Sequence, residues 1–237
     1  MKIALIGYGK MGKVVEEIAL EKEFSIIARI HSKTDWQSAS LQEADICIDF
    51  SSPSAVLSNA SKIGAYGKSL VIGTTGWDKD LSSLRNIAQT YKMGIVYGPN
   101  FSIGMQIFSK LISQAASLFN SFEEFDVFLQ ETHHREKKDT PSGSAFFLSE
   151  LLLKHLKQKK ELLLDRPEGK IRPDQLQISS IRCGNSFGSH TITFDSPADT
   201  ITLNHTAKNR KSFAEGALFA AEWIREKKGV YHFSEIL

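Results

Sequence analysis

Apolar residues in the first hundred positions fall alternately into short continuous runs and into stretches with helical spacing. The runs predict buried strands, and a spacing such as Val14, Val15, Ile18 and Ala19 predicts an amphipathic helix. Strands that alternate with helices indicate a parallel sheet covered by helices on both faces. The predicted strands are residues 3–6, 24–30, 45–50, 69–74 and 94–97, and the predicted helices are residues 13–22, 53–63 and 78–91.

The pattern changes near residue 103, where the strand–helix alternation stops. Three strand-like runs late in the chain follow one another without helices, which predicts an antiparallel or mixed sheet. We therefore place a boundary between two domains near residue 103, and the pattern alone leaves open whether the last helix packs on the first domain. The predicted elements are helices at residues 102–119, 142–157 and 212–227, strands at residues 125–131, 175–183, 189–195 and 200–205, and a loop at residues 165–174.

Composition narrows the class of protein without naming a reaction. The 237-residue chain has a formal net charge of +2, which gives no overall attraction for nucleic acid. Its two cysteines, Cys47 and Cys183, have no metal-ligating neighbours at usable spacing and favour a reducing compartment. Met1 and Lys2 run directly into the first strand, so we expect no signal peptide, and no apolar stretch approaches a membrane span. We expect a cytoplasmic protein without nucleic-acid or membrane partners.

A glycine-rich loop follows the first predicted strand and opens the first predicted helix. The loop consists of Gly7, Tyr8, Gly9, Lys10, Met11 and Gly12, and it matches the dinucleotide fingerprint G-x-G-x-x-G. The first glycine permits the tight turn, the second lets a pyrophosphate approach the backbone, and the third allows close packing of helix on strand. The N–H groups at the start of the helix then attract the phosphates. A plain strand-to-helix turn is the alternative.

The end of the second predicted strand bears on the choice between NADPH and NADH. Enzymes that prefer NAD usually carry an acidic residue there, which binds the ribose hydroxyls. Here Arg29, His31 and Lys33 are basic or potentially basic, and no acidic residue precedes Asp35. We therefore favour NADPH, with Lys33 near its 2′-phosphate, and leave NADH open. A simple loop lysine is the alternative for Lys33.

Two further loops lie at predicted carboxyl ends of strands, where ligands bind in open α/β sheets. Their small and polar residues suit contacts to the nicotinamide and its ribose, although ordinary turn chemistry explains them equally well. The loops are Gly73, Thr74, Thr75 and Gly76, and Gly98, Pro99, Asn100, Phe101 and Ser102.

Residues 131–144 form the segment with the most reactive side chains, between a predicted strand and a predicted helix. His133 and His134 suit proton transfer near neutral pH, and Lys137 follows them closely. The N–H groups of Gly143 and Ser144, at a helix start, form an anion site. A zinc site is disfavoured because third and fourth ligands at usual spacing are missing and nearby lysines oppose a cation, so we predict no metal. The alternative interpretation of this segment is an ordinary solvent-exposed basic loop without a catalytic role.

Residues 131–145 also resemble a known family. They read Glu-Thr-His-His-Arg-Glu-Lys-Lys-Asp-Thr-Pro-Ser-Gly-Ser-Ala, similar to the signature E-x-H-H-x-x-K-x-D-A-P-S-G-T-A of the dihydrodipicolinate reductases of the diaminopimelate route to lysine. The resemblance covers most of the chain, and the departures at Thr140 and Ser144 remove no group that the reaction needs. Further motifs occur in the family's order, at residues 10–12, 49–51, 73–76, 100–104, 181–184, 188–190, 205–207, 210, 213 and 216–217.

The resemblance implies an NAD(P)H-dependent reduction of 4-hydroxy-tetrahydrodipicolinate, a cyclic dicarboxylate, with NADPH, NADH or both as cofactor. It implies an α/β fold with a Rossmann domain at residues 1–103, completed by residues 211–237. Residues 104–210 would form an α+β domain with a mixed sheet, which binds substrate and builds a homotetramer. The implied catalytic histidine is His133 and the implied proton donor is Lys137. Implied substrate contacts are His134, Gly143, Ser144 and Arg210, and implied cofactor contacts are residues 7–12, 73–75 and 99–102.

Two other functions remain to be weighed. A different two-domain dehydrogenase, acting on another small acid, explains the glycine loop but not the His-His-x-x-Lys signature. A non-catalytic nucleotide sensor predicts loss of the proton-transfer residues, yet His133 and Lys137 are both present.

Overall fold

The computed structural model describes residues 1–34, 36, 41–164 and 169–237. Asp35 and the first part of the predicted loop at 165–174 lie outside the described residues. The chain forms two compact units, Met1–Ile103 with Arg210–Leu237, and Gly104–Asn209. None of the helices within the described ranges is long and apolar enough to cross a membrane.

The first unit contains a six-stranded parallel sheet in the order β11-β5-β4-β3-β1-β2. Its strands are β1 (Lys2–Ile6), β2 (Ser25–Ile30), β3 (Ile46–Asp49), β4 (Ser69–Ile72), β5 (Gly94–Tyr97) and β11 (Gly229–His232). Its helices are α1 (Lys10–Glu21), α2 (Val56–Ala65), α3 (Leu81–Thr90) and α6 (Lys211–Ile224).

Two hydrophobic cores lie on opposite faces of this sheet, because successive strand residues point to opposite sides. Leu5 and Ile48 belong to the core that α1 and α6 cover. Ala4 and Cys47 belong to the core on the α2 and α3 side. Since both faces are buried, the central strands are continuously apolar, as the sequence pattern predicted.

The second unit contains a five-stranded mixed sheet in the order β10-β9-β6-β8-β7. Strand β6 pairs in parallel with β8 and antiparallel with β9. Helices α4 and α5 supply Phe108, Ile112, Leu148 and Leu152 to one core with strand residues such as Leu129. The elements are α4 (Ile103–Phe119), β6 (Asp126–His133), α5 (Gly143–His155), β7 (Glu161–Leu164), β8 (Gln175–Arg182), β9 (Ser189–Asp195) and β10 (Thr200–Thr206).

The predicted α/β class, with a parallel first sheet and a mixed second sheet, is confirmed. The sequence pattern missed β7 and β11, because each has four residues, too few to show a period, and each follows a lysine-rich stretch. Strand β6 continues to His133, two residues beyond its predicted end, because it stays paired with β8 there. The last helix ends at Ile224, earlier than predicted, and β11 follows it.

Candidate functional site

The glycine loop of the first unit combines two glycines that the fold requires with one that it does not. Gly7 has a φ of +85°, and a Cβ there would lie 2.4 Å from the Phe50 carbonyl oxygen. A Cβ on Gly12 would lie 2.5 Å from the Gly7 carbonyl oxygen. Gly9 differs, because its φ is −88° and no described atom lies within 4 Å of the Cβ position. The space above Gly9 is therefore open to a ligand.

Helix α1 begins directly at this open space. Gly9 is its N-cap residue and gives the helix no side-chain cap. The first turn reads Lys10, Met11, Gly12 and Lys13, all of them described and none of them acidic. The first N–H groups of a helix have no intrahelical partners and form the positive end of its dipole. This helix start therefore suits a phosphate group.

Phe50, the residue directly after β3, contacts the three predicted cofactor loops. A Cβ on Gly73 would lie 2.1 Å from the Phe50 ring, so Gly73 is small because the ring packs on its backbone. The Phe101 ring lies edge-on to Phe50 at a centroid distance of 6.5 Å. Together with the contact to Gly7, Phe50 joins the loops after β1, β4 and β5. Sequence reasoning gave Phe50 no role, although a large aromatic residue directly after a buried strand was a usable signal.

The predicted cofactor residues after β4 divide into buried and exposed groups. Thr74 is buried, and its hydroxyl donates to the Asp49 carboxylate at 2.9 Å and accepts from the Ser51 N–H at 2.9 Å. Asn59 donates to the other oxygen of Asp49 at 2.8 Å. Thr75 is exposed. The Thr74 side chain therefore holds the loop in place, and the Thr75 side chain is accessible at the surface.

The loop after β5 shows the same division. Phe101 is buried and packs on Phe233 at a centroid distance of 4.5 Å. Asn100 accepts a hydrogen bond from the Ser102 N–H at 2.9 Å, which holds the turn into α4. Pro99 is exposed, Asn100 is half-buried, and Ser102 is buried. Of the four predicted contacts, Pro99 and Asn100 face outward.

At the end of β2, the basic residues have different surroundings. Arg29 forms an ion pair with Glu16, to which the Tyr8 hydroxyl also donates, so Arg29 is engaged inside the unit. The hydrogen bond from Arg29 lowers the pKa of the Glu16 carboxyl. Lys33 is exposed, and its backbone N–H donates to His31 Nδ1 at 3.4 Å.

A pocket of about 530 Å³ lies beside this strand end. His31 and Ser32 line it, together with Gly7 from the glycine loop and Lys62 from α2. The Lys62 ammonium lies 4.8 Å from the centroid of the Trp36 ring, which also lines the pocket. The polar and basic lining next to the glycine loop suits the ribose end of a dinucleotide.

In the second unit, a buried cluster surrounds His133 at the end of β6. The Glu131 side chain is fully buried, and its Oε2 forms a short ion-paired contact with His133 Nδ1. Arg182, at the end of β8, donates to Glu131 Oε1 at 2.8 Å, and the Ser142 N–H donates to the same oxygen at 3.3 Å. Burial alone would raise the pKa of Glu131, but the hydrogen bonds from His133 and Arg182 outweigh it and lower the pKa to about 2. Glu131 is therefore a buried carboxylate with a hydrogen-bond partner on each oxygen, one of them the Arg182 cation.

His190 on β9 completes the cluster. Its ring lies edge-on to His133 at a centroid distance of 5.3 Å, and its Nε2 lies 3.3 Å from Ser142 Oγ. Burial, and then the neighbouring His133, lower the pKa of His190 to about 4. His190 is therefore neutral near pH 7. It is also placed beside Glu131 by register, since the two residues are paired across β6 and β9.

Glu131, His133 and His190 also present one ligand atom each within 4.8 Å of one another. The zinc alternative was set aside for lack of third and fourth ligands, and the fold supplies Glu131 and His190 as further candidates. Both Glu131 oxygens, however, already accept hydrogen bonds, one of them from the Arg182 cation. A neighbouring guanidinium disfavours a second cation. The absence of a metal stays a prediction.

Gly188 lies against the outer edge of the His133 ring, which is itself buried. Its φ is +137°, a region that L side chains rarely adopt, and a Cβ there would lie 2.8 Å from His133 Nε2. A side chain at position 188 would therefore cover the ring nitrogen that does not contact Glu131.

Lys137 lies in the loop between β6 and α5, and the structure gives it a carboxylate partner. Its ammonium lies 2.9 Å from Asp139 Oδ1. Partial burial raises the pKa of Asp139, but hydrogen bonds from Lys137 and from the Gly143 N–H outweigh it, and the pKa is lowered. Lys137 and the start of α5 thus hold a carboxylate of the protein itself.

Helix α5 begins with a side-chain cap. Ser142 Oγ accepts from the Ala145 N–H at 3.2 Å and so caps the first turn of the helix. Gly143 is exposed, and no described atom lies within 4 Å of its Cβ position. As at Gly9, the space beside this glycine is open.

The remaining predicted substrate residues lie in two places. The His134 N–H donates to the Ser186 carbonyl at 2.8 Å, which anchors the loop that carries Lys137. Arg210 belongs to the first unit, where it is the N-cap residue of α6. Sequence reasoning missed the roles of Glu131, Arg182, Gly188 and His190, although all four stand in the motifs that carried the family resemblance.

Comparisons with known proteins agree across both units. A family profile described as "Dihydrodipicolinate reductase, N-terminus" matches residues 1–101, and one described as "Dihydrodipicolinate reductase, C-terminus" matches residues 104–237. The 4-hydroxy-tetrahydrodipicolinate reductase of Christiangramia forsetii is 34% identical over 237 residues, which cover 100% of this chain and 98% of the relative. That of Lawsonia intracellularis is 36% identical over 250 residues, which cover 96% and 95%.

Solved structures give the same result at the level of the fold. The dipicolinate-bound dihydrodipicolinate reductase from Paenisporosarcina sp. TG-14 is similar with a TM-score of 0.80 and 26% identity, covering 100% of this chain and 99% of that chain. A probable dehydrogenase from Thermotoga maritima, 8% identical with a TM-score of 0.61, covers 100% of this chain and 92% of that chain. At that identity the second likeness shows the fold alone.

Proposed function

This chain belongs to the dihydrodipicolinate reductase family, and from that premise we propose how its residues divide the work of the reaction. The protein is an oxidoreductase that reduces 4-hydroxy-tetrahydrodipicolinate to tetrahydrodipicolinate in the diaminopimelate route to lysine. It uses a pyridine nucleotide. In our proposal, the first unit holds the nucleotide and the second unit holds the substrate.

The glycine loop of the first unit fits a dinucleotide. The open space at Gly9 lies at the uncapped start of α1, so backbone N–H groups there can receive the pyrophosphate. Thr75, Pro99 and Asn100, which face outward after β4 and β5, are the proposed contacts at the nicotinamide end. When bound, the nicotinamide supplies the hydride. Thr74 and Phe101 shape these loops from within.

We assign NADPH as the preferred nucleotide. His31, Ser32 and Lys62 line the pocket beside β2, and Lys33 is exposed in the turn that follows β2. These groups suit a 2′-phosphate better than ribose hydroxyls, since the stretch offers cations in place of a carboxylate. Arg29 takes no part in this proposal, because Glu16 already engages it.

The observation that carries the substrate site is the carboxylate already bound between Lys137 and the start of α5. Asp139 occupies these donors, with Lys137 at 2.9 Å. A substrate carboxylate has the same chemistry, and we propose that it takes the place of Asp139 there. The solved relative that binds dipicolinate, itself a ring dicarboxylate, supports this assignment. His134, Gly143 and Ser144 of the same unit are the further proposed carboxylate contacts, and a substrate contact at Arg210 stays an implication of the family resemblance.

His133 and Lys137 are the proposed source of the proton. The substrate loses its 4-hydroxyl group as water and gains a hydride, so the overall reaction consumes one proton, which a protein group must deliver. The Lys137 ammonium carries that proton, and His133 Nε2, which lies against the Gly188 backbone, is the group that we propose exchanges it. The contact between Glu131 and His133 Nδ1 leaves Nε2 as the nitrogen for this exchange.

We also propose a homotetramer built through the sheet of the second unit. Helices α4 and α5 supply the core on one face of this sheet. The opposite face carries Phe128 and Ile181, which are exposed on neighbouring strands. Sedimentation at several protein concentrations tests the assembly. A cytoplasmic location stays our expectation from the two unpaired cysteines, Cys47 and Cys183.

The test of the proposed site assignment is a coupled assay. Dihydrodipicolinate synthase generates the substrate from pyruvate and aspartate semialdehyde, and oxidation of NADPH and NADH is followed by absorbance. We expect synthase-dependent oxidation that is faster with NADPH, and Lys33→Ala should lower the NADPH-to-NADH ratio of kcat/KM roughly tenfold, the effect of losing one charged contact. Lys22→Ala, an exposed lysine at the end of α1, is the matched control. An unchanged ratio in Lys33→Ala would remove Lys33 from the 2′-phosphate site.

A further inference from the structure

We propose that Glu131 is a positioning residue, which, held by Arg182, fixes the tautomer and orientation of His133. The proposal rests on the role of His133 proposed above. Glu131 lies two residues before His133 on β6, so both side chains point to the same face of the sheet. It is fully buried, and its Oε2 contacts His133 Nδ1.

The chemistry of the contact determines where the His133 proton sits. An ionised carboxylate only accepts hydrogen bonds, so the ring nitrogen facing it must carry the hydrogen. Glu131 is ionised because Arg182 donates to its other oxygen at 2.8 Å. His133 Nδ1 therefore carries a hydrogen in every protonation state. Nε2, which lies against the backbone of Gly188, is left to gain and lose the exchangeable proton.

The same carboxylate also connects His133 to the loop that carries Lys137. Arg182 donates to the Asp139 carbonyl at 2.8 Å and to Thr140 Oγ1 at 3.2 Å, besides its bond to Glu131. The Ser142 N–H, at the start of α5, donates to Glu131 Oε1 at 3.3 Å. One buried carboxylate thus sets the ring and, through Arg182, the position of the loop. This explains why a charged residue is retained in an otherwise costly buried place.

Glu131→Gln separates positioning from a merely structural role. Glutamine has nearly the same shape, but it can turn its amide NH₂ toward His133 Nδ1, which forces the hydrogen onto Nε2. We expect kcat to fall roughly a hundredfold or more, as when the carboxylate that orients a catalytic histidine becomes an amide. The Kd for NADPH should stay unchanged. Glu136→Gln, an exposed residue of the same loop, removes the same charge and should leave kcat unchanged.

Two further measurements decide the mechanism. In histidine labelled with ¹⁵N, the wild-type His133 ring should show hydrogen on Nδ1, and the Glu131→Gln ring should show it on Nε2. In a double-mutant cycle, Glu131→Gln should add no further loss to His133→Gln, because its effect passes through that ring. Arg182→Lys, which keeps the charge but not the fork of donors, should lower kcat in the same direction by a smaller factor.

Several results would overturn the proposal. These are a wild-type His133 with hydrogen on Nε2 alone, full turnover in Glu131→Gln, or losses that multiply in the double variant. Loss of wild-type activity on treatment with a chelator would also overturn it, since Glu131, His133 and His190 would then be serving a metal. Full turnover in His133→Gln would instead contradict the catalytic role of His133. The wild-type spectrum would still decide what Glu131 does, even if Glu131→Gln failed to fold.

Discussion

The glycine loop of the first unit and the Glu131–His133 cluster of the second are built by opposite means. The glycine loop uses backbone N–H groups and an open space at Gly9, and its shape depends on the absence of side chains. The cluster uses side chains from three strands, buried and bonded to one another. The first design suits a ligand whose charge is fixed, and the second suits a proton that must move, because buried side chains can tune where a proton resides.

The two designs also differ in what a substitution does. At a site built from the backbone, an added side-chain atom either clashes with neighbouring protein atoms or occupies the space that the ligand needs. At a site built from side chains, a lost atom removes a chemical group while the fold around it remains. Three predictions, each based on one or more amino-acid substitutions, test this contrast.

Lys137→Ala should have the largest effect of the three. It should lower turnover and leave the proposed nucleotide site of the first unit unchanged. Turnover should fall by roughly two to four orders of magnitude, the usual contribution of a proton donor. The Kd for NADPH should change little, because the proposed nucleotide site lies in the first unit. Steady-state oxidation of NADPH and nucleotide fluorescence titration measure the two quantities.

Lys138→Ala is the matched control, since Lys138 is the exposed neighbour in the same loop. Its turnover should equal that of the wild type. Equal losses of turnover and NADPH affinity in Lys137→Ala would show that the lysine acts on the nucleotide, and the proton-donor role would fall.

Gly7→Ala and Gly9→Ala should have different effects within one loop. The first should lower the stability of the fold, and the second should weaken binding of the nucleotide. Alanine at position 7 needs a φ of +85° and would bring its Cβ to 2.4 Å from the Phe50 carbonyl, so the free energy of unfolding should drop by about 3 kcal/mol or more. Alanine at position 9 meets no described atom within 4 Å and should leave the urea midpoint unchanged. It should weaken NADPH binding roughly tenfold, and Gly9→Asp should weaken it further by charge repulsion. A Gly9→Asp variant with wild-type affinity would sink the proposed place of the pyrophosphate.

His190→Gln should have the smallest effect, visible only as pH falls. The folded-state pKa of His190 is about 4, lowered first by burial, whereas an unfolded histidine titrates near 6.5. Between these values the unfolded chain binds a proton that the folded chain does not, so stability declines as pH falls below about 6.5. The contribution lost by pH 5 is about 2 kcal/mol. Urea unfolding across this range should show a shallower decline in His190→Gln than in the wild type.

His31→Gln is the matched control for this measurement, because His31 is exposed and lies in the first unit. Its pH profile should parallel the wild-type profile. A His190→Gln profile that also parallels the wild type would mean that His190 is protonated in the folded protein at pH 5.

The sequence predicted the backbone-built site better than the other, for a physical reason. The constraints on Gly7, Gly9 and Gly12 act within a few residues, so they are visible as a local motif. Glu131 and His190 meet only because β6 and β9 pair in one register, which joins residues far apart in the chain. The roles of such pairs cannot be derived from local spacing. His133 and Lys137 were predicted as site residues because their own chemistry, unlike that of Glu131, is distinctive in any context, and their roles stay predictions.

Two smaller misses have the same origin. Phe50 was passed over because its importance lies in three loops that meet at its backbone and its ring, which only the folded sheet brings together. The strands β7 and β11 were missed because pairing with β8 and β5, rather than their own four residues, makes them strands.

The strand order of the first sheet determines when its parts can fold during synthesis on the ribosome. Strand β11 pairs with β5, and α6 packs on α1 and on strands β3, β4 and β5, yet both elements are translated after the whole second unit. While residues 210–237 remain inside the ribosome, one face of the sheet, including Leu5 and Val96, has no α6 to cover it. The second unit is continuous in sequence and can fold as it emerges. The nascent chain therefore completes its first sheet last, and until then chaperones have an apolar surface to bind.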